Sequence, residues 1–150
     1  MPISETAHEL FDALDRHDLE AVTAYLRDDF QVSGNVTRPL DKTAYLALLK
    51  AYFAAFSDYD FNFSEAAQTG DKLRVKFAVT GTHDGTLDLT PLDIPVTLEA
   101  TNQRVVLPVS VADLTFDDND QVESLVMHQA AGATLNDLVT VLGAETPLYG

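Results

Sequence analysis

The chain has 150 residues and no cysteine, which excludes disulfides, thiolate nucleophiles and cysteine-held zinc or iron–sulfur centres. Twenty-four acidic residues against nine basic ones give a net charge of -15, a field that repels phosphate backbones and anionic membranes and argues against nucleic-acid binding. Apolar residues make up 46%, enough for one substantial core, and no run approaches the roughly 20 apolar residues of a membrane span. The opening residues, MPISETAHEL, lack a basic stretch followed by an apolar one, so the expectation is a cytoplasmic protein without a leader, folded as one domain over residues 1–150.

Thr6 and Glu9 have the spacing of a capping box, and Leu10, Phe11 and Leu14 follow at helical spacing. His17-Asp18 ends that helix, and Asp18 is placed to cap a second one striped by Leu19, Val22 and Leu26. Asp28-Asp29 closes the helix pair, and Phe30 to Ser33 reads as a short strand before the loop Gly34 to Leu40. Asp41 caps a third helix whose Tyr45, Leu48, Leu49, Tyr52, Phe53 and Phe56 form one wide apolar face.

From Ser57 the period changes to two. Tyr59, Phe61 and Phe63 alternate with polar residues, as do Leu73, Val75, Phe77 and Val79, in a register that carries through to His83. Further strands are expected over 96–101, 104–116 and 122–130, with a closing helix marked by Leu135, Leu138, Val139 and Leu142 and ended by Gly143. Helices segregated from a meander of strands predict an α+β fold with an antiparallel sheet. Alternation is weak from Val105 to Ala112, which predicts a strand covered on both faces and hence a homodimer packed sheet to sheet.

Two stretches, AYFAAFSDYDFNF and GDKLRVKFAVTGTHDGTLDLTPL, resemble the SnoaL-like polyketide cyclases, or ester cyclases, of the nuclear transport factor 2-like superfamily. Phe56-Ser57-Asp58 stands at that family's Phe-Pro-Asp step, with serine for proline. Gly81-Thr82-His83-Asp84-Gly85 matches its GTHxG element in full, and the closing stretch through Gly143 is similar as well. The resemblance implies a cone-shaped barrel, with three N-terminal helices packed on a curved, mostly antiparallel sheet around an apolar cavity. It implies ring closure by aldol chemistry with an aspartate base on the last strand and neither metal nor organic cofactor. The closing strand of the family often reads Trp-x-x-x-Asp. Val126 and Ala130 stand at those positions, so the aspartate base is absent. Removing a proton alpha to a carbonyl needs a base, which alanine cannot supply.

Candidate site residues follow from the alternation and the resemblance together. His83 is expected to face inward and His128 to share a face with Val122, Ser124, Val126 and Ala130, which makes these histidines the candidate proton-transfer groups. Asn35, Tyr45, Tyr52, Phe53, Phe56, Phe61, Phe63, Phe77 and Val126 are expected to line the interior. Asp113 is either a buried base or a solvated strand residue, while Asp84, His8 and His17 read as turn and surface residues. No metal site is indicated by spacing. Three functions fit. One is a cofactor-free cyclase, isomerase or hydrolase acting on an apolar carbonyl or ester compound. The others are a non-catalytic binding protein for an apolar metabolite and a structural dimer module.

Overall fold

The computed structural model describes residues 3–34, 39–128, 130 and 135–143. Helix α1 (Ile3–Asp15) begins three residues before Thr6, so Thr6 lies inside the helix and is buried rather than serving as its cap. Helix α2 (Leu19–Tyr25) is capped by Asp18, whose carboxylate accepts from the Ala21 N–H at 3.1 Å. Strand β1 (Leu26–Ser33) starts earlier than the sequence suggests and takes in Asp28 and Asp29. Both stay exposed there, and Asp29 pairs with the Arg27 guanidinium at 2.8 Å, so an acidic pair that reads as a break is tolerated in a strand. After β2 (Leu40–Asp41), Asp41 caps α3 (Lys42–Ala55) by accepting from the Ala44 N–H at 2.8 Å.

The strands that follow are β3 (Ser64–Thr69), β4 (Lys72–Phe77), β5 (Thr80–Thr82), β6 (Leu87–Asp88), β7 (Thr97–Leu98), β8 (Arg104–Val106), β9 (Ser110–Phe116) and β10 (Val122–His128), with α4 (Leu135–Val141) last. Six of them form one sheet in the order β2-β1-β10-β9-β4-β3, antiparallel except for the parallel pair β1 and β10. The fold is therefore α+β with a curved, mostly antiparallel sheet. One face of the sheet carries Leu73, Val75, Phe77, Ala112, Leu114 and Phe116, all buried in the core shared with the helices.

Three expectations change at the level of single strands. Tyr59 and Phe61 are buried as the alternation requires, but 61–63 lies outside any strand because Asn62 adopts a left-handed backbone (φ 51). The expected strand at 104–116 is two strands. Pro108, which has no N–H to donate, sits in the break, with β8 paired to β5 in a separate ribbon and β9 in the main sheet. Alternation within β9 is regular, with Ser110, Ala112, Leu114 and Phe116 buried and the residues between them half-exposed. The expected strand at 96–101 shrinks to β7.

Candidate functional site

The interior beneath α1 contains a cavity of about 20 Å³. Leu10, Phe11 and Leu14 of α1 form one wall, and Leu114, Val122 and Leu125 of the sheet form the opposite one. Val22, Leu26 and Phe30 close the corner where α2 runs into β1, and Tyr45 and Phe63 complete the lining. Among these eleven side chains the Tyr45 hydroxyl is the sole polar group. The volume suits little more than one water, for which roughly 10–15 Å³ suffices. Ligand pockets run to roughly 300–1,000 Å³, so side chains must yield before a ring-sized molecule fits.

Beyond the cavity the interior is packed with aromatic rings. Tyr45 lies 5.5 Å from Phe30, and Tyr52 stacks on Tyr59 at 5.0 Å with planes 7° apart. Burial pushes the Tyr45 hydroxyl above its ordinary pKa. It does the same to Tyr52 and Tyr59, with a smaller contribution from the neighbouring phenols. All three remain neutral hydrogen-bond donors at neutral pH. The remaining expected lining residues, Phe53, Phe56, Phe61 and Phe77, lie in this packed part of the core and do not border the cavity. Asn35 lies outside the described residues.

His83 is fully buried, as its register suggests, but it packs against Phe56 at 5.3 Å and does not border the cavity. The Thr101 N–H donates to its Nδ1 at 3.3 Å, and the Thr101 hydroxyl lies 3.0 Å from the same atom. An Nδ1 that accepts from a backbone amide places the ring proton on Nε2. Among the described residues that Nε2 makes no hydrogen bond of ordinary geometry. Burial holds the His83 pKa below its ordinary value, against smaller opposing effects of the Leu98 carbonyl and the Asp84 carboxylate.

His128 and Val126 require correction. The β9–β10 register shifts between Val122 and Ser124, so Val122, Leu125 and Met127 turn inward. Val126 and His128 turn to the outer face instead, where Val126 is 37% exposed. A single extra residue in a strand moves every later side chain to the opposite face. His128 Nε2 donates to Asp113 at 3.0 Å, and Asp113 accepts two further bonds from Arg74, at 2.8 and 2.9 Å. The Arg74 guanidinium, helped by His128, holds the Asp113 carboxyl down at about 2. Asp113 is thus an ion-paired carboxylate on the outer face, not a base.

Asp84, expected as a turn residue, and Asp58, the last residue of the Phe-Ser-Asp step, tie the chain together around His83. Asp84 accepts from the Ser57 N–H at 3.0 Å and from its hydroxyl. Asp58 accepts from the Thr82 N–H at 2.7 Å and is paired with Arg104 at 3.2 Å. Gly81 packs against the Phe56 ring, and the Gly85 N–H donates to the Ala55 carbonyl at 2.9 Å. Phe56-Ser57-Asp58 and Gly81 to Gly85 therefore form one reciprocal clasp. The signal in the sequence was the polar pair Ser57 and Asp58 facing a glycine-flanked Asp84. His17, expected at the surface, is half-buried. Its ring stacks on Phe53 at 4.0 Å, and its Nε2 donates to the Tyr59 carbonyl at 2.9 Å. Asp15 has its pKa raised, first by burial and then by the facing Asp60 and by Asp12, but it does not border the cavity. No three His, Asp or Glu side chains among the described residues are grouped to hold a metal ion.

Comparison with known proteins adds a family and a fold. A model of the SnoaL-like domain family matches residues 7–123. No curated protein matches the chain. Among solved structures, AclR from Streptomyces galilaeus, a suggested hydroxylase, is 21% identical with a TM-score of 0.72, over 94% of this chain and 95% of its own. IdmH from Streptomyces antibioticus, a suggested polyketide cyclase, is 18% identical with a TM-score of 0.68, over 93% and 99%. A suggested polyketide cyclase from Silicibacter is 17% identical with a TM-score of 0.70, over 95% and 96%. At these identities the likeness establishes the fold and nothing about substrate.

Proposed function

We propose that this chain, which belongs to the SnoaL-like domain family, binds a small neutral apolar molecule inside its cone and performs no acid–base chemistry on it. The observation that carries this reading is the lining of the cavity, where ten of eleven side chains are hydrocarbon and the other is a phenol held neutral. Both histidines named as proton-transfer groups lie elsewhere, His83 against Phe56 and His128 on the outer face. A phenol can donate one hydrogen bond to a ligand carbonyl, which fixes orientation without moving a proton.

The test uses naphthalene and α-tetralone, which share a ring system and differ by one acceptor oxygen. Both should shift the Leu114, Val122 and Leu125 methyl signals. Tyr45→Phe should weaken tetralone about fivefold to tenfold, the size of one net neutral hydrogen bond of about 1 kcal/mol, and leave naphthalene unchanged. Faster deuterium uptake alpha to the tetralone carbonyl in the presence of the protein would overturn the non-catalytic reading in favour of a cofactor-free isomerase or cyclase.

We further propose that the molecule is a cytoplasmic homodimer of one-domain chains, packed through the outer face of the sheet. Val126 is 37% exposed at the centre of that face. Lys72, Arg74 and Lys76 lie exposed on β4 to one side, and Asp28 and Asp29 lie exposed on β1 to the other, so two copies with β4 laid over β1 would pair opposite charges. Light scattering at micromolar concentration should give twice the chain mass of 16.4 kDa, and Val126→Glu should halve it. A wild-type mass of 16.4 kDa would refute the dimer.

A further inference from the structure

We infer that the mouth of the interior lies at the stacked Phe11–Phe63 ring pair, and that planar ring compounds gain access by parting it. This rests on the pocket reading above and adds the route and the ligand shape. Among the described residues of the cavity lining, Phe63 is the only one that is not buried. The α2 corner and the sheet wall are closed, with Val22 fully buried and Val122 1% exposed. Phe63 stacks on Phe11 at 4.2 Å with planes 15° apart, and Phe61 continues the pile at 5.1 Å and 21°. A flat ring slipped into such a pile meets aromatic faces on both sides, the arrangement that offset stacking favours.

The backbone around Phe63 is built to let that ring move while its neighbour stays fixed. Asn62, one residue earlier, is left-handed and pinned. Its N–H donates to Asp60 at 2.7 Å, and its side-chain amide donates to the Ala78 carbonyl at 2.7 Å. Phe63 itself lies outside any strand, and β3, which follows it at the edge of the sheet, is exposed at all six residues. Across the seam, α1 packs chiefly on α2. Among the described residues, one polar contact between α1 and β3 is a solvent-facing pair, His8 to Glu65 at 3.4 Å, of a kind that holds little. Parting the two rings breaks the Phe11–Phe63 stack, disturbs the contacts of Phe63 with Phe61 and Phe77, loosens the His8–Glu65 contact, and leaves the buried walls at Val22 and Val122 in place.

The experiment follows naphthalene binding kinetics by methyl exchange spectroscopy in the full chain. Phe63→Ala should raise the association rate at least tenfold, while Val22→Ala, which enlarges the closed corner away from the seam, should leave it within twofold. Because Phe63→Ala also removes core area, a second variant keeps both rings. His8→Cys/Glu65→Cys, in a chain with no other cysteine, is joined across the seam by a short bismaleimide. The joined form should associate at least tenfold more slowly than the same variant left unjoined. Binding whose rate is unaffected by the staple, or that Val22→Ala accelerates as much as Phe63→Ala, would overturn this mouth while leaving the pocket standing. Absence of naphthalene binding in the wild type and every variant would overturn both. Binding by Phe63→Ala alone would support Phe63 as the barrier and overturn the wild-type pocket.

Discussion

Replacing Gly85 with alanine is expected to cost about 3 kcal/mol or more. A Cβ at Gly85 would stand 2.1 Å from the Ala54 carbonyl oxygen and 3.2 Å from its carbon. The obstacle is the backbone at the end of α3, which has no rotamer to escape into. Either that helix end or the segment after His83 must move. Moving it strains the Gly85 N–H to Ala55 bond and, one residue back, the bonds from Ser57 to Asp84. Gly70→Ala is the control. Its φ of +61 carries the ordinary left-handed penalty of about 1–2 kcal/mol, and nothing lies within 4 Å of the new methyl. Urea unfolding of both variants checks the argument. A Gly85→Ala loss no greater than that of Gly70→Ala would mean that the α3 end is soft and the clasp carries little.

This clasp changes the meaning of the family resemblance. The aromatic step at the end of α3 and the GTHxG element are far apart in sequence, and a pattern of residues can record them only as two motifs. In the fold they are two halves of one joint, Phe56 against Gly81 and His83, Ser57 against Asp84, and Asp58 against Thr82. Serine replaces the family's proline without loss, because its N–H is used by Asp84 and a proline there would have none to donate. The motif thus fixes how the strand ribbon meets the helix and leaves the chemistry of the interior free to vary.

The legible parts of the fold are those set by local physics. Asp18 and Asp41 cap their helices because a short carboxylate before an apolar stripe has an orphan amide to satisfy. The alternation in β4 survives because nothing interrupts its pairing with β9. What could not be read depends on partners distant in sequence. The shift at Val122/Ser124 arises where β9 and β10 adjust their register, and it leaves the hydrophobic pattern of β10 plausible on either face. That one shift carried His128 and Val126 out of the expected interior. The size of the cavity was hidden for a similar reason. Phe11, Phe61 and Phe63 could have lined an open cone, and only their stacking on one another shows that they fill most of it.

The second large effect expected is a loss of stability in mild acid that depends on His83. Its folded pKa lies below the unfolded value, with burial the main cause. Between those two values the unfolded chain binds a proton that the folded chain does not. The contribution of His83 is therefore fully present above about pH 6.5 and is lost as pH falls below it, at up to about 1.4 kcal/mol per pH unit. The structural cause is specific. Protonated His83 would carry a hydrogen on Nδ1, where the Thr101 N–H already points, so charging the ring both buries a charge and sets two donors against each other. The Asp113 pair titrates lower, between about pH 4 and 2, and does not overlap this window. His83→Leu keeps the volume and removes the proton. It should lower stability at pH 7.5 by about 0.5–1.5 kcal/mol, because the Thr101 N–H loses its hydrogen bond to the ring, and it should flatten the slope between pH 6.5 and 5. Urea unfolding at pH 7.5, 6.5, 5.75 and 5 for both proteins reads the two effects separately. A slope in His83→Leu equal to that of the wild type would place the acid sensitivity on another group and would mean that His83 charges freely in the fold.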